Sequence, residues 1–559
     1  MKILLVYPYC LEERGKDYDV RPVPIGLYYI GAVLKENGHE VEIVNWYNIH
    51  KNPQEIEHVL KNYRPDIIGF SIFNANRWGG IEIAHLAKKI IPQVKIVFGG
   101  VDATFLWKHL LTYFQAIDYI VLGEGEYPFL ALVEALEKGD AHKIENLSGI
   151  ACRKDGKIVR TKPGEYIPDL DTLPNPARYF SFQHVVSSRG CPYDCTFCGS
   201  PKFWKRKVRF HSPEYFVDQL ELLYKKGISF FYVSDDTFTF KKSRVIDICK
   251  DIIGRGLDIT WVAISRVNCV DEDILYWMRK AGCIQISYGV ESGSEKMRAF
   301  FNKKTRTEDI RRAFALTRKF GILPRAYFIY GSPGETWETV QESIDLMHEI
   351  KPLAMVSYIL DIYPGTALYS HFKEKSKIDD DIWLNRIEDI MYHQLDPKLS
   401  SEKVLSFGRK IKSEFYKGLS EYVDSLELVD KKDLYRHHSD FLSRLGMTFS
   451  HGDYSQIEEI GDSKKIAEKL FKRALLYSPD HTAYLGLGVI YQKRRDFEAS
   501  IRILEEGLRH FPKSEELNVC LGINYMNTGD FKKAVELFAM FPESENARRF
   551  YRICMERLG

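Results

Sequence analysis

The strongest constraint on this chain is a rhythm of short apolar runs alternating with helix-length segments, first from residue 2 to about 140 and again from 181 to 374. In the first stretch KILLVYP, EVEIVNW, DIIGFSIF, VKIVFGG and IDYIVLG are separated by helical patterns, among them Ile25–Asn37, Pro53–Tyr63 and Ile81–Ile91, and a last helix covers Tyr127–Lys138. A helix between consecutive strands returns the chain to the starting edge, so the strands pair in parallel and helices cover both faces. The expectation for 1–140 is an α/β, doubly wound parallel sheet. Ligands of such sheets lie beyond the carboxyl ends of the strands. Those ends carry Pro8, the loop from Asn74 to Gly80, Gly99 and Gly100, and the run Gly123, Glu124, Gly125, Glu126. Glycine there either turns the chain or lets the backbone approach a ligand closely.

Residues 141–180 read as a small strand-and-turn segment ending in the proline-punctuated linker DLDTLPNPARY. From 181 to 374 a second alternation runs through FQHVVSSRG, ISFFYVS, ITWVAIS, CIQISYGV, ILPRAYFIYG and MVSYILDIYPG. Six strand–helix units fit a partial (β/α)6 barrel, whose chemistry gathers at the carboxyl ends of its strands. Residues 375–460 read as a helical connecting or substrate region, whose Trp383, Tyr392, Tyr416, Tyr422 and Tyr435 either form core or close over a substrate. In 461–559, Leu487-Gly488 recurs as Leu521-Gly522, Tyr491 as Tyr525 and Asp496-Phe497 as Asp530-Phe531, each 34 residues apart. That period marks an all-α region of helical hairpins of the tetratricopeptide (TPR) kind.

A formal net charge of +2 in 559 residues gives no global attraction to nucleic acid or acidic membranes. No run is long and apolar enough to span a bilayer and the first residues lack a cleavage site, so a cytoplasmic location is expected. The ten cysteines are scattered except in SSRGCPYDCTFCGSP, where Cys191, Cys195 and Cys198 fall within eight positions. A structural zinc site needs four protein ligands, usually from two close pairs. Three thiolates on a cubane cluster would instead leave one iron open to a substrate or cofactor.

The CxxxCxxC spacing, with Phe197 before its last cysteine and a place at the end of the first barrel strand, resembles the radical S-adenosylmethionine superfamily. YVSDDTF, ISYGVESGS, FIYGSPGET and YPGTALY are similar to its cobalamin-binding branch, and RPVPIGLYYIGAVLKENGHEVEIV, VFGGVDAT and VLGEGE to the Rossmann-like cobalamin domain of that branch. The resemblance implies that Cys191, Cys195 and Cys198 hold a 4Fe–4S cluster whose open iron chelates S-adenosylmethionine for cleavage to a deoxyadenosyl radical. By position it implies that Phe197, Asp235, Arg266, Glu291, Ser292, Gly331 and Pro333 line the S-adenosylmethionine site; Asp236 faces the same mouth as Asp235, the alternative for either being a cap on the following helix. The competing reading of Arg266 and Glu291 is an ion pair with each other or with a helix. Pro8, Asn74, Asn76, Arg77, Trp78, Gly99, Gly100, Asp102, Gly123, Glu124, Gly125 and Glu126 become the cobalamin candidates.

The chain departs from methionine-synthase-like domains in lacking a DxHxxG motif, so cobalamin is expected without a histidine ligand from that source, and Asn76, Arg77 or Trp78 is expected to cover its lower face. The implied reaction is methylation of an unactivated carbon. The alternatives are radical cyclisation or rearrangement with the same cofactors, and a TPR scaffold on a silent barrel. Implied partners are a small-molecule, lipid or peptide substrate, an electron donor such as flavodoxin or ferredoxin, and a protein on the TPR-like repeats.

Overall fold

The computed structural model describes residues 1–12, 21–49 and 52–559. Its N-terminal sheet has seven strands: β1 (Lys2–Tyr7), β2 (Glu40–Asn45), β3 (Ile67–Ser71), β4 (Lys95–Gly99), β5 (Tyr119–Val121), β6 (Ile150–Lys154) and β7 (Lys157–Arg160), in the order 2-1-3-4-5-6-7. The first five run parallel. Ile3 to Tyr7 are all buried, because helices cover both faces of a parallel sheet and leave no solvent side for polar residues. The segment read as a linker contributes β6 and β7, which extend the sheet antiparallel from β5.

The second sheet contains β8 (His184–Val185), β11 (Phe230–Val233), β12 (Thr260–Ser265), β13 (Cys283–Glu291), β14 (Leu323–Tyr330) and β15 (Ala354–Ile359), paired in parallel in chain order, the order of a barrel wall. The stretch expected as one first strand is divided. After β8 the Ser187 N–H donates to the Asp235 carboxylate at 2.6 Å and leaves the ladder. The chain then forms β9 (Ser188–Arg189), antiparallel to β10 (Arg209–Phe210), and this hairpin leads into the cysteine loop.

Beyond 375 the chain is almost entirely helical. The long helix Ser401–Asp424 and the helices Tyr435–Ser450, Ser463–Leu475 and His481–Lys493 share one continuous hydrophobic core with the barrel. Trp383, Tyr392 and Tyr422 are buried. The later helices Phe497–His510, Glu515–Thr528, Phe531–Ala539 and Glu545–Leu558 have smaller cores of their own. Asp462, Asp496 and Asp530 each cap a helix by accepting the backbone N–H three residues on, the preferred N-cap arrangement.

Candidate active site

Cys191, Cys195 and Cys198 follow β9, all as free thiols. Burial above all pushes the Cys198 thiol up to about 12, and Asp236, Cys195 and Cys191 add to the shift. A thiol in such surroundings becomes a thiolate beside a metal or a cation. The cation here is Arg266, whose Nη1 donates to Cys195 Sγ at 3.6 Å while its guanidinium stacks 3.6 Å from the Tyr193 ring centre. Its other arm donates to the carbonyl of Lys303. The Thr237 hydroxyl lies 3.8 Å from Cys191 Sγ, and the Thr196 N–H donates to the Phe301 carbonyl at 3.0 Å, tying the loop to the chain beyond β13.

Arg266 and Glu291 do not pair with each other. Glu291 ends β13 with φ of 64°, a left-handed conformation uncommon for a non-glycine residue and typical of functional turns. Its carboxylate accepts from Lys303 Nζ at 2.6 Å, and both side chains are 7% exposed. A Cβ at Gly289 would stand 2.3 Å from Glu291 Oε1 and 2.6 Å from Lys303 Nζ, so this ion pair crosses a place only glycine leaves free. Lys303 Nζ also lies 6.0 Å from the centre of the Phe197 ring, joining the strand end to the residue before Cys198. Lys303 sits in FNKKT, where no spacing or motif marks it.

One expected residue is turned away from the cavity. Asp235 is fully engaged behind the sheet, accepting from Ser187 N, Ser187 Oγ and Ser188 Oγ at 2.6 Å each. Its neighbour Asp236 lines the central cavity and accepts from Ser200 Oγ at 2.9 Å. Ser292 Oγ lies 3.1 Å from Ser343 Oγ and accepts from Ser294 N, organising the turn after β13. Gly331 takes φ of 79° and opens a loop in which the Gly331 and Ser332 N–H groups donate to the Glu335 carboxylate, with Pro333 inside the turn. Burial pushes that carboxyl up to about 7 despite the two bonds.

Between the carboxyl ends of β1, β3, β4 and β5 and the barrel mouth lies about 1240 Å³ of space, partly open to solvent. Gly99, Gly100, Gly123, Glu124, Gly125 and Glu126 line it, as expected for this edge, together with Gly26, Ser71, Phe73, Arg189, Gly190, Trp204 and Asp236. A Cβ on Gly99 meets nothing nearer than 3.9 Å, and one on Gly123 or Gly26 nothing within 4 Å. Side chains there would fill the cavity, so these glycines keep open a space suited to a large flat ligand. Glu124 and Glu126 contribute walls rather than free acids. Arg189 donates to both, at 2.7 and 2.6 Å, and Arg209 to Glu124 at 2.7 Å. Burial disfavours the charged Glu124, yet the two arginines hold it below the usual carboxylate range.

The residues expected beneath the corrin do not line this cavity. Asn76, Arg77 and Trp78 are absent from the cavity wall, as are Pro8, Asn74 and Asp102. Arg77 is 1% exposed, pairs with Asp102 at 3.1 Å, donates to the Ile387 carbonyl at 2.8 Å and stacks 4.4 Å from the Trp383 ring centre. Asn74 donates to the Glu388 carbonyl, and Trp78 packs edge-on against Phe114. A buried guanidinium needs such partners, and here they clamp the 383–388 segment onto the N-terminal domain. Asn76 bonds only within its own turn, to Phe73 N and the Ser71 carbonyl.

The donor set fits the implied groups. Three thiols share one loop, which the Arg266 guanidinium reaches from the end of β12, and among the described residues no three His, Cys, Asp or Glu side chains converge on a point for a single metal ion. Ligands of separate irons in one cluster stand further apart than that. Residues 185–347 match the family described as Radical SAM superfamily, and residues 17–133 the B12 binding domain. An uncharacterized methyltransferase of Pyrococcus horikoshii is 30% identical over 461 residues, 79% of this chain and 97% of that protein. The anaerobic magnesium-protoporphyrin IX monomethyl ester cyclase of Rubrivivax gelatinosus is 29% identical over 70% of this chain and 73% of its own length. The radical S-adenosylmethionine methyltransferase TsrM of Kitasatospora setae, solved with cobalamin and a 4Fe–4S cluster, shares the fold with a TM-score of 0.62 at 17% identity, over 84% of this chain and 99% of that one. The chain belongs to the radical SAM superfamily, as a B12-binding enzyme that works with a 4Fe–4S cluster, S-adenosylmethionine and cobalamin.

Proposed function

We propose that this enzyme methylates an unactivated carbon, with Cys191, Cys195 and Cys198 holding the cluster and the Gly99–Gly100 and Gly123–Gly125 edge facing the corrin. The observation that carries this reading is the single cavity, whose wall runs from those glycines to Gly190 and Asp236 beside the cysteine loop. With the cofactors bound, S-adenosylmethionine at the cluster would supply the radical chemistry and cobalamin the methyl group. Arg266 would balance the charge of a Cys195 thiolate, Lys303 would hold the Glu291 carboxylate in place, and Glu291 and Phe197 would line the S-adenosylmethionine site. Holding the reactants against one cavity means that their meeting costs little further entropy. An electron donor such as a flavodoxin or ferredoxin reduces the cluster.

The last helices form TPR-like hairpins, a reading supported by the 34-residue spacing of the caps Asp462, Asp496 and Asp530. The second reading, radical cyclisation, is favoured by the name of the Rubrivivax gelatinosus relative. Anaerobic turnover with a metabolite extract separates the two. Methylation yields S-adenosylhomocysteine and deoxyadenosine together, whereas deoxyadenosine without matching S-adenosylhomocysteine sinks the methyltransferase reading.

A further inference from the structure

Arg189 is two residues before Cys191 and on the wall of the cavity. Its two Nη atoms reach different carboxylates of the N-terminal domain, Glu124 at 2.7 Å and Glu126 at 2.6 Å. Arg209 from β10 closes the network on Glu124 at 2.7 Å, and the Ile167 N–H donates to the same carboxylate at 2.9 Å. The two arginines and two glutamates balance in charge. All four are nearly enclosed, and the Tyr29 ring centre lies 5.2 Å from the Arg189 guanidinium. Glu124 and Glu126 belong to the glycine-rich run at the corrin-facing edge.

The other side of the same segment is fixed to the barrel. Asp235 accepts three bonds from Ser187 and Ser188, and Arg244 Nη2 donates to the Ser187 carbonyl at 2.7 Å. Gly190 follows with φ of 95°, and a Cβ there would stand 2.1 Å from the Lys207 carbonyl oxygen. The chain from Ser187 to Cys191 therefore has little freedom. A displacement of Glu124 or Glu126 passes through Arg189 and the constrained Gly190 turn to the first cluster ligand.

We infer that Arg189 is a positioning residue that fixes the separation between cobalamin and the cluster. This rests on both groups occupying the sites proposed above. A planar guanidinium forked between two carboxylates suits the role because its rigid geometry fixes orientation as well as distance. A lysine could reach one carboxylate but would lose the fork.

The test needs no substrate. Holoenzyme is reconstituted anaerobically with cob(II)alamin, and its electron paramagnetic resonance spectrum is recorded with the cluster oxidised and then reduced. The difference is dipolar broadening, which falls with the inverse cube of the separation. Arg189→Met and the milder Glu126→Gln, read alone if the first does not fold, are expected to keep wild-type iron, sulfide and corrinoid contents. Their broadening is lost or split into several components, with Arg189→Lys intermediate. Wild-type broadening in Arg189→Met, or in Glu126→Gln where only that variant folds, would reduce the network to a fold brace and overturn the inference. Loss of corrinoid alone from Glu126→Gln would also overturn it, by making the network part of cofactor binding. If the wild type itself loads no corrinoid or no cluster, it is the functional proposal that fails.

Discussion

Lys303 and Glu291 show how much at this site depends on single side chains. Removing one partner of a buried ion pair leaves a desolvated charge, and such losses cost about 3–5 kcal/mol. Lys303→Met is therefore expected to destabilise the barrel by that order in urea unfolding, with the double variant Lys303→Met/Glu291→Gln recovering much of the loss. A single-variant midpoint equal to wild type would mean that the pair contributes nothing. Gly289→Ala is expected to act in the same direction but by less, since its Cβ meets only the far ends of the two side chains, which must shift to make room. The cysteines were identifiable in sequence because their spacing is local, whereas Lys303 meets Glu291 only through the return of the chain after β13. Of Asp235 and Asp236, both expected at the mouth, the alternation of β11 brings only Asp236 to the cavity. Val233 and Asp235 fall on the buried side, and Ser234 and Asp236 on the cavity side, as the period of two requires.

The elements themselves were largely readable, since unbroken apolar runs and helical periods survive in any tertiary setting. The division between β8 and β9 was not, because the Ser187 N–H leaves the ladder for a carboxylate 48 residues away. The Arg77 clamp was equally hidden, its partners Trp383 and Ile387 lying in a segment without a repeat. At the loop after β14, burial raises the Glu335 carboxyl to about 7, against 4.5 when exposed. The folded protein then holds a proton that the unfolded chain releases above 4.5, so this stabilisation is complete below 4.5 and lost as pH rises through about 7. The shift corresponds to about 3 kcal/mol. Glu335→Gln is expected to flatten the decline in stability between those pH values, and an unchanged slope would place the proton elsewhere.

At the scale of the whole molecule, the C-terminal region divides in two. Helices through Lys493 complete the barrel's core, as does Arg279, which is buried in the barrel and pairs with Asp440 at 2.8 Å. Truncation after Ile460 is expected to expose that core and abolish soluble expression. Truncation after His510 should leave a folded barrel with a lower melting temperature, and equal behaviour of the two would contradict the division. No helix among the described residues is long and apolar enough to cross a membrane. The two proposed cofactor sites draw on different domains, so they should be separable by mutation. The most direct measurement is S-adenosylmethionine cleavage by anaerobically reconstituted wild type and Cys198→Ala, with corrinoid content determined on the same samples. The wild type is expected to form deoxyadenosine, and Cys198→Ala to form none while keeping its corrinoid. Cleavage retained in Cys198→Ala would contradict the account.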